Sequence, residues 1–320
     1  MKNIYLPEGS LLNTPENQEY ISSIAGLERA FVEGKILEST VSFCDSSFRL
    51  HIELNGMLGI MDKEETLFCR EGEHTKDIAI ITRVGKPIAF KVIGFRRENG
   101  IIAAVLSRRK AQEECQSSYL SSLCAGDIIR AKVTHLESFG AFVDVGCGLS
   151  SLLTVDSISV SRISHPRDRL CVGDEIFVVV KSRDEQNGRL YVSMKELLGT
   201  WEENAREFEV GQTVLGIVRS IEDYGVFIEL APNLAGLAEM RADTRDAEIA
   251  KIGAHTAVYI KSILPDRMKI KLVLIDSYRK STPQHTHRYF IDCESTKHLS
   301  RWVYSPPSSN KIVETVFDNQ

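Results

Sequence analysis

The run Phe139-Gly140-Ala141-Phe142-Val143-Asp144-Val145 returns 85 residues later as Tyr224-Gly225-Val226-Phe227-Ile228-Glu229-Leu230, with aromatic, glycine, aliphatic and acidic positions in the same order. Side chains alternate between the faces of a strand, so Ala141, Val143 and Val145 are expected on one face and Phe142 with Asp144 on the other. The second copy repeats the pattern, with Val226, Ile228 and Leu230 inward and Phe227 beside Glu229. An aromatic side chain presented twice on the polar face of a sheet predicts a stacking platform.

Repeats of this kind define the architecture before any single element does. Around the first copy, apolar alternation runs over 128–136, then the motif, then 149–155. A polar excursion through Ser164-His165-Pro166 follows, then runs over 175–181 and 189–194 separated by the turn Asp184-Glu185-Gln186-Asn187-Gly188. The second copy has runs over 213–221, 225–230, 234–240, 256–263 and 268–274. Five short strands with turn signals between them predict a closed barrel of the OB type. A third copy lies upstream, where Phe48-Arg49-Leu50-His51-Ile52-Glu53-Leu54 aligns 91 residues before the first motif. It puts Leu50, Ile52 and Leu54 inward and His51 and Glu53 outward, with His51 in place of the second aromatic, and continues through Gly59-Ile60, Pro87 to Ile93 and Ile101 to Ser107.

The expected organisation is therefore all-β, with three tandem five-stranded barrels, short helical linkers and a C-terminal β-hairpin. The segments are an extension over 1–29, barrels over 30–115, 125–196 and 211–275, and a hairpin tail over 276–320. Residues 116–124 read as a Ser-rich joint, and residues 197–210, with Trp201 and four glutamates, as a short helix with a solvated acidic face. In the tail, Tyr289-Phe290-Ile291 and Trp302-Val303-Tyr304 are the expected hairpin strands, and Trp201 and Trp302 are expected against barrel walls.

A chain of 320 residues suits two or three domains. No apolar run approaches the roughly 20 residues that cross a bilayer, and the start lacks the pattern of a leader, so a cytoplasmic location is expected. Seven scattered cysteines without a C-x-x-C pair argue against a disulfide framework or zinc ribbon. The net charge of −5 argues against a grip on duplex DNA, which depends on phosphate neutralisation. Residues 125–196 carry 9 basic and 10 acidic side chains and residues 211–275 carry 8 of each, so neither is a cationic patch. Stacking at roughly 1–3 kcal/mol per base would have to supply most of any affinity for single strands.

With these motifs placed, the chain resembles a tandem of S1-type RNA-binding domains. The resemblance rests on Lys132-Val133, Phe139-Gly140-Ala141-Phe142-Val143, Val172-Gly173-Asp174, Asp184 followed by Arg189, and Val192-Ser193-Met194-Lys195. Over nearly its whole length the chain is similar to short Clostridia-type members of the ribosomal protein S1 family. The further carriers are Tyr5-Leu6-Pro7-Glu8-Gly9, Leu106 to Glu113, Ser262 to Lys269, and Trp302-Val303-Tyr304-Ser305-Pro306. The resemblance implies S1-type barrels, no enzymatic activity, no cofactor and no metal. It also implies an RNA face of Phe139, Phe142, Asp184 and Arg189 in the second barrel, with Thr154 at the family's histidine place and Ser151 at its glycine. In the third barrel the face is Tyr224, Phe227, Asp266 and Lys269, with Glu239 at the histidine place, where a carboxylate should repel phosphate. Lys132 and Arg219 are expected to face phosphates as well. In the first barrel only Phe48 and His51 map.

The expected function is single-stranded RNA or mRNA binding in translation, with the small ribosomal subunit as a candidate partner, no membrane and no DNA specificity. The alternative is a protein-interaction adaptor that docks on the ribosome or another RNA machine without touching RNA, a role open above all to the first barrel. An RNA-processing enzyme is a third reading, disfavoured because no span remains for a catalytic domain and the carboxylates form no dense metal-binding cluster. Gly56-Met57-Leu58-Gly59 has the spacing of a K-homology loop but lies between strand-like runs and reads as a turn. His285, His287, Cys293 and His298 lack the spacing of a metal site. Gly140 and Gly225 mark a bulge or a close backbone approach. Arg189 is expected to pair with Asp184 and be held by it for a phosphate or base.

Overall fold

A computed structural model describes residues 5–69, 76–98, 100–184, 188–239, 251–278 and 287–317. Fifteen strands form three closed barrels. The first contains β1 (Ile36–Cys44), β2 (Leu50–Leu54), β3 (Met57–Met61), β4 (Pro87–Glu98) and β5 (Ile101–Ser107). The second contains β6 (Ile128–Glu137), β7 (Gly140–Asp144), β8 (Ser150–Thr154), β9 (Glu175–Arg183) and β10 (Leu190–Ser193). The third contains β11 (Thr213–Glu222), β12 (Gly225–Ala231), β13 (Leu234–Glu239), β14 (His255–Leu264) and β15 (Lys269–Tyr278). Each ring has its own strands in the order first, second, third, fifth, fourth. The third and fifth strands pair in parallel in every barrel. Closure leaves no unpaired sheet edge, which suits barrels this small.

The inward positions follow the repeat. Leu50, Ile52 and Leu54 in β2, Ala141 and Val143 in β7, and Val226 and Ile228 in β12 are all buried. The hairpin between β2 and β3 turns on Asn55-Gly56 alone, with φ of 47° and 91°. That is the left-handed pair a two-residue type I′ turn requires, so Gly56 completes a turn and Met57-Leu58-Gly59 run on as β3. Gly140 has a different reason. A Cβ placed on it would lie 2.5 Å from the carbonyl oxygen of Leu153, so β7 and β8 approach through a gap only glycine fits. Gly225 meets Ala238 O at 2.6 Å in the same way. Gly140→Val is therefore expected to force the strands apart and cost about 1–3 kcal/mol, read as a lower denaturation midpoint in urea.

Several elements depart from the sequence expectation. The first barrel opens with β1, which the repeat did not mark. The joint over 116–124 is partly helical, because a helix Arg108–Ser118 leads into it, capped by Ser107 Oγ accepting from Lys110 N. Phe48 lies outside β2 with φ of 59°, and so turns the chain rather than extending it. The tail does form a two-stranded sheet, but β16 (Arg301–Val303) pairs with β17 (Glu314–Val316) rather than with the Tyr289 run. Phe290 N instead donates to Leu197 O, and Tyr289 Oη accepts from Phe177 N at 2.9 Å. Trp201, in the short helix Trp201–Ala205, and Trp302 both join the core of the third barrel. The described residues contain no disulfide and no helix long and apolar enough to cross a membrane.

The chain divides into two compact units. One comprises Met1–Leu123, Arg130–Lys132 and Asp144–Ser150, and the other Cys124–Ile129, Val133–Val143 and Ser151–Gln320. Within the first, Glu8 anchors the chain start: Arg108, fully buried, donates to both its carboxylate oxygens at 2.6 and 3.0 Å. Glu38 is also buried. Its Oε2 accepts from Gly9 N and Leu11 N at 3.0 and 2.9 Å, while Oε1 has no partner. Burial pushes its carboxyl up to about 7, against the pull of those two N–H groups. A carboxyl raised on folding stays protonated longer in the native state, so its contribution to stability is full at low pH and fades as pH climbs toward 7. Urea midpoints of the wild type should thus fall more between pH 5 and 8 than those of Glu38→Gln, and equal slopes would contradict this assignment.

Candidate nucleic-acid interface

Two aromatic pairs repeat the same geometry. In the second barrel Phe139 is 54% exposed, Phe142 is half-buried, and their rings meet edge to face at 6.0 Å and 90°. In the third barrel Tyr224 is 62% exposed, Phe227 is half-buried, and the rings meet at 6.2 Å and 89°. The exposed ring in each case comes from the turn before the second strand, and the half-buried ring is the outward residue on that strand. Edge-to-face contact is the favoured arrangement of two quadrupoles, so each pair is pre-set without a ligand. The half-buried ring fixes the exposed one, which leaves a flat apolar face toward solvent.

The second barrel adds a residue the repeat did not reveal. His135, near the end of β6, lies against Phe142 at 6.3 Å with planes 28° apart, and its Nε2 is 2.7 Å from Glu137 Oε1. It extends the pair into a row of three rings. A register argument could have found it, because the equivalent position in the third barrel, Ser220, is the direct cross-strand partner of Phe227. Thr154 borders this row: Val155 N donates to Phe139 O, and Thr154 Oγ1 is 2.9 Å from Ser157 Oγ.

The polar candidates divide. Arg189 is exposed, and its carbonyl accepts from Asp184 N at 2.9 Å. The two residues of the expected pair thus meet through their backbones across the turn. Residues 185–187 of that turn lie outside the described residues. Asp266 and Lys269 are both exposed, with Asp266 3.5 Å from Arg267. Glu239 is 3.1 Å from Lys271 Nζ, so the carboxylate expected to repel phosphate is paired with a cation.

Two cations are placed otherwise than expected. Lys132 Nζ donates to Glu8 O at 3.2 Å within the first compact unit, where it supports the chain start. Arg219, with a side chain only 8% exposed, donates to Glu229 Oε2 at 2.7 Å and lies 3.6 Å from Asp168. Each is engaged by an acceptor within the protein. In the first barrel His51 is buried, with its ring 3.0 Å from Asp45 Oδ2, and Phe48 packs half-buried against the core.

Both acids of the repeated motif are also buried, against the expectation from strand alternation. Asp144 Oδ1 accepts from Gly146 N and Gly148 N, and Oδ2 from Glu8 N at 2.7 Å. Burial and the nearby Glu8 charge push its carboxyl well above the usual range. Glu229 is treated differently. Arg169 reaches both its oxygens at 2.7 and 2.8 Å, and Arg219 shares Oε2. Burial alone would raise this carboxyl, and the two guanidiniums outweigh it and hold the group below its ordinary value.

Arg169 belongs to the loop before β9 and Glu229 to β12, so this triad ties the second barrel to the third. Asn233, in the turn between β12 and β13, reinforces the tie: its Nδ2 donates to Lys195 O and Gly199 O, and its Oδ1 accepts from Val160 N. Tyr304 Oη donates to its carbonyl at 2.7 Å. The second and third platforms are thereby carried on one continuous, hydrogen-bonded body.

Among the described residues no group of three or more His, Cys, Asp or Glu could hold a metal ion. His287 and His298 have separate carboxylate neighbours, Asp174 and Asp127, and His285 lies outside the described residues.

Comparison with known proteins finds S1-type relatives. Residues 123–195 match the S1 RNA binding domain. The chain is 31% identical over 178 residues to small ribosomal subunit protein bS1 of Leuconostoc lactis, covering 52% of this chain and 41% of that one. It is 32% identical over 233 residues to bS1 of Staphylococcus aureus, covering 71% and 55% respectively. It is also 31% identical over 202 residues to a 4-hydroxy-3-methylbut-2-enyl diphosphate reductase of Clostridium acetobutylicum, covering 61% of this chain and 30% of that protein. The chain thus spans less than half the length of these first curated relatives from Leuconostoc and Clostridium.

Proposed function

We propose that this chain, which belongs to the S1-domain family, binds single-stranded RNA in translation by stacking bases on Phe139 and Phe142 and on Tyr224 and Phe227. The observation that carries the reading is the matched pair geometry, 6.0 Å and 90° in one barrel and 6.2 Å and 89° in the next. Two barrels hold the same ring arrangement, each with its outer ring more than half exposed.

Charge contributes less. The chain carries a net charge of −5, and Lys271, exposed on the third barrel, is already paired with Glu239. Specificity for a base sequence is not expected, because every base offers a π-face. Two modest sites on one body gain from each other, since binding at the first makes the second contact effectively intramolecular. Attachment to the small ribosomal subunit would follow from the likeness to bS1, and cosedimentation with that subunit tests it.

Titration with an unstructured oligonucleotide and with a duplex of the same composition tests the reading. Preference for the single strand with a shallow salt dependence supports it, because few phosphates are neutralised. Equal affinity for the duplex, or a steep salt slope, would refute stacking as the main contribution. RNA crosslinking in cells separates this reading from an adaptor role: recovery of protein partners alone would favour the adaptor.

A further inference from the structure

The first barrel lacks an aromatic pair on its second strand, yet it keeps an exposed ring. Phe43 on β1 is the direct cross-strand partner of His51 on β2. Its ring lies 4.2 Å from the imidazole with planes 9° apart, a face-to-face stack, and the residue is 51% exposed. The imidazole beneath it is held in place. His51 Nε2 is 3.0 Å from Asp45 Oδ2, and that oxygen also accepts from Arg49 Nε at 2.8 Å. Arg49 then reaches Glu98 Oε1 at 3.1 Å, at the tip of the β4–β5 hairpin.

Within its own barrel, this stack takes the cross-strand position that corresponds to the aromatic sites of the other two. The residue paired with the outward ring of the second strand is Ser220 in the third barrel, and His135 is the ring against Phe142 in the second. The first barrel therefore carries Phe over His where the second carries His beside Phe. The solvent-facing ring comes from the first strand instead of the turn before the second, and the ring beneath it on the second strand is a histidine held by a carboxylate.

We propose that Phe43 is a base-stacking site for one unpaired base of a single-stranded RNA, which gives the first barrel an RNA contact of its own. The proposal rests on the reading that the second and third barrels bind RNA. Its surroundings favour a base over a protein partner. A chain of ion pairs, Asp45–Arg49–Glu98–Arg96, starts at the carboxylate that holds His51, whereas the centre of a protein interface is depleted of charge. A stacked base needs only one flat π-face with a polar rim.

The test uses the full chain and a uridine-rich, unstructured RNA bearing 4-thiouridine, with crosslinked peptides mapped by mass spectrometry. Adducts are expected on the Phe43 peptide as well as on those of Phe142 and Tyr224. Phe43→Ala should abolish the first and weaken binding roughly 5-fold or more, while Phe43→Trp preserves both. Adducts on the second and third barrels only, with Phe43→Ala binding like wild type, would overturn the inference and leave the proposed function standing. Adducts on no barrel would overturn both. A photoreactive residue at position 43 that captures protein and no RNA would assign this face to a protein partner and likewise overturn it.

Discussion

Glu229→Ala is expected to destabilise the body formed by the second and third barrels by about 3–5 kcal/mol, the range for removing one partner of a buried ion pair. The carboxylate is 4% exposed and receives three hydrogen bonds from Arg169 and Arg219, whose side chains are 10% and 8% exposed. Without it, two guanidiniums remain in a site that offers them only Ser159 Oγ at 3.2 Å and Asp168 at 3.6 Å. Arg169 Nε and Arg219 Nη2 already lack partners, so the site has no reserve of acceptors. Replacing all three residues by apolar side chains of similar volume should cost less than Glu229→Ala alone, because no charge is then stranded. Urea unfolding of the two variants reads the difference, and a triple variant less stable than Glu229→Ala would contradict this account.

The same residue illustrates what the sequence conveys and what it does not. Strand alternation located Ala141, Val143, Val226 and Ile228 in the core, because period-2 patterning is a local property. It also placed Asp144 and Glu229 outward, and there it failed. What covers them comes from far along the chain: Glu8 reaches Asp144 from 136 residues away, and Arg169 reaches Glu229 from 60. Asn233 is inconspicuous in the sequence for the same reason, since its partners at Lys195, Gly199 and Val160 are distant in sequence.

The candidate site was legible in proportion to its repetition. Phe139, Phe142, Tyr224 and Phe227 recur in register, and a repeat filters chance exposure from pattern. His135 and Phe43 occur once each and lie on the strand before the motif, so only cross-strand pairing brings them to it. Arg219 and Lys132 are pointed to phosphate by their charge. Charge does not distinguish a side chain that faces solvent from one folded onto a carboxylate or a carbonyl, and these two are folded inward.

The second large effect concerns the platforms. Phe139→Ala with Phe142→Ala removes both rings of one pair, and at roughly 1–3 kcal/mol per stacked base the loss in RNA affinity should be about 2–4 kcal/mol. Stability should change little on removing exposed Phe139 and somewhat more on removing half-buried Phe142. The corresponding change at Tyr224 and Phe227 should cost a similar amount. Because both pairs ride on one body, the combined loss should exceed either alone.

Titration of an unstructured RNA against the wild type and the four-alanine variant at Phe139, Phe142, Tyr224 and Phe227 tests the central claim most directly, with circular dichroism confirming that the barrels remain folded. Loss of at least two to three orders of magnitude in affinity is the predicted result, the higher figure corresponding to about 4 kcal/mol. A folded variant that binds RNA as tightly as the wild type would contradict the claim that these rings form the RNA contact.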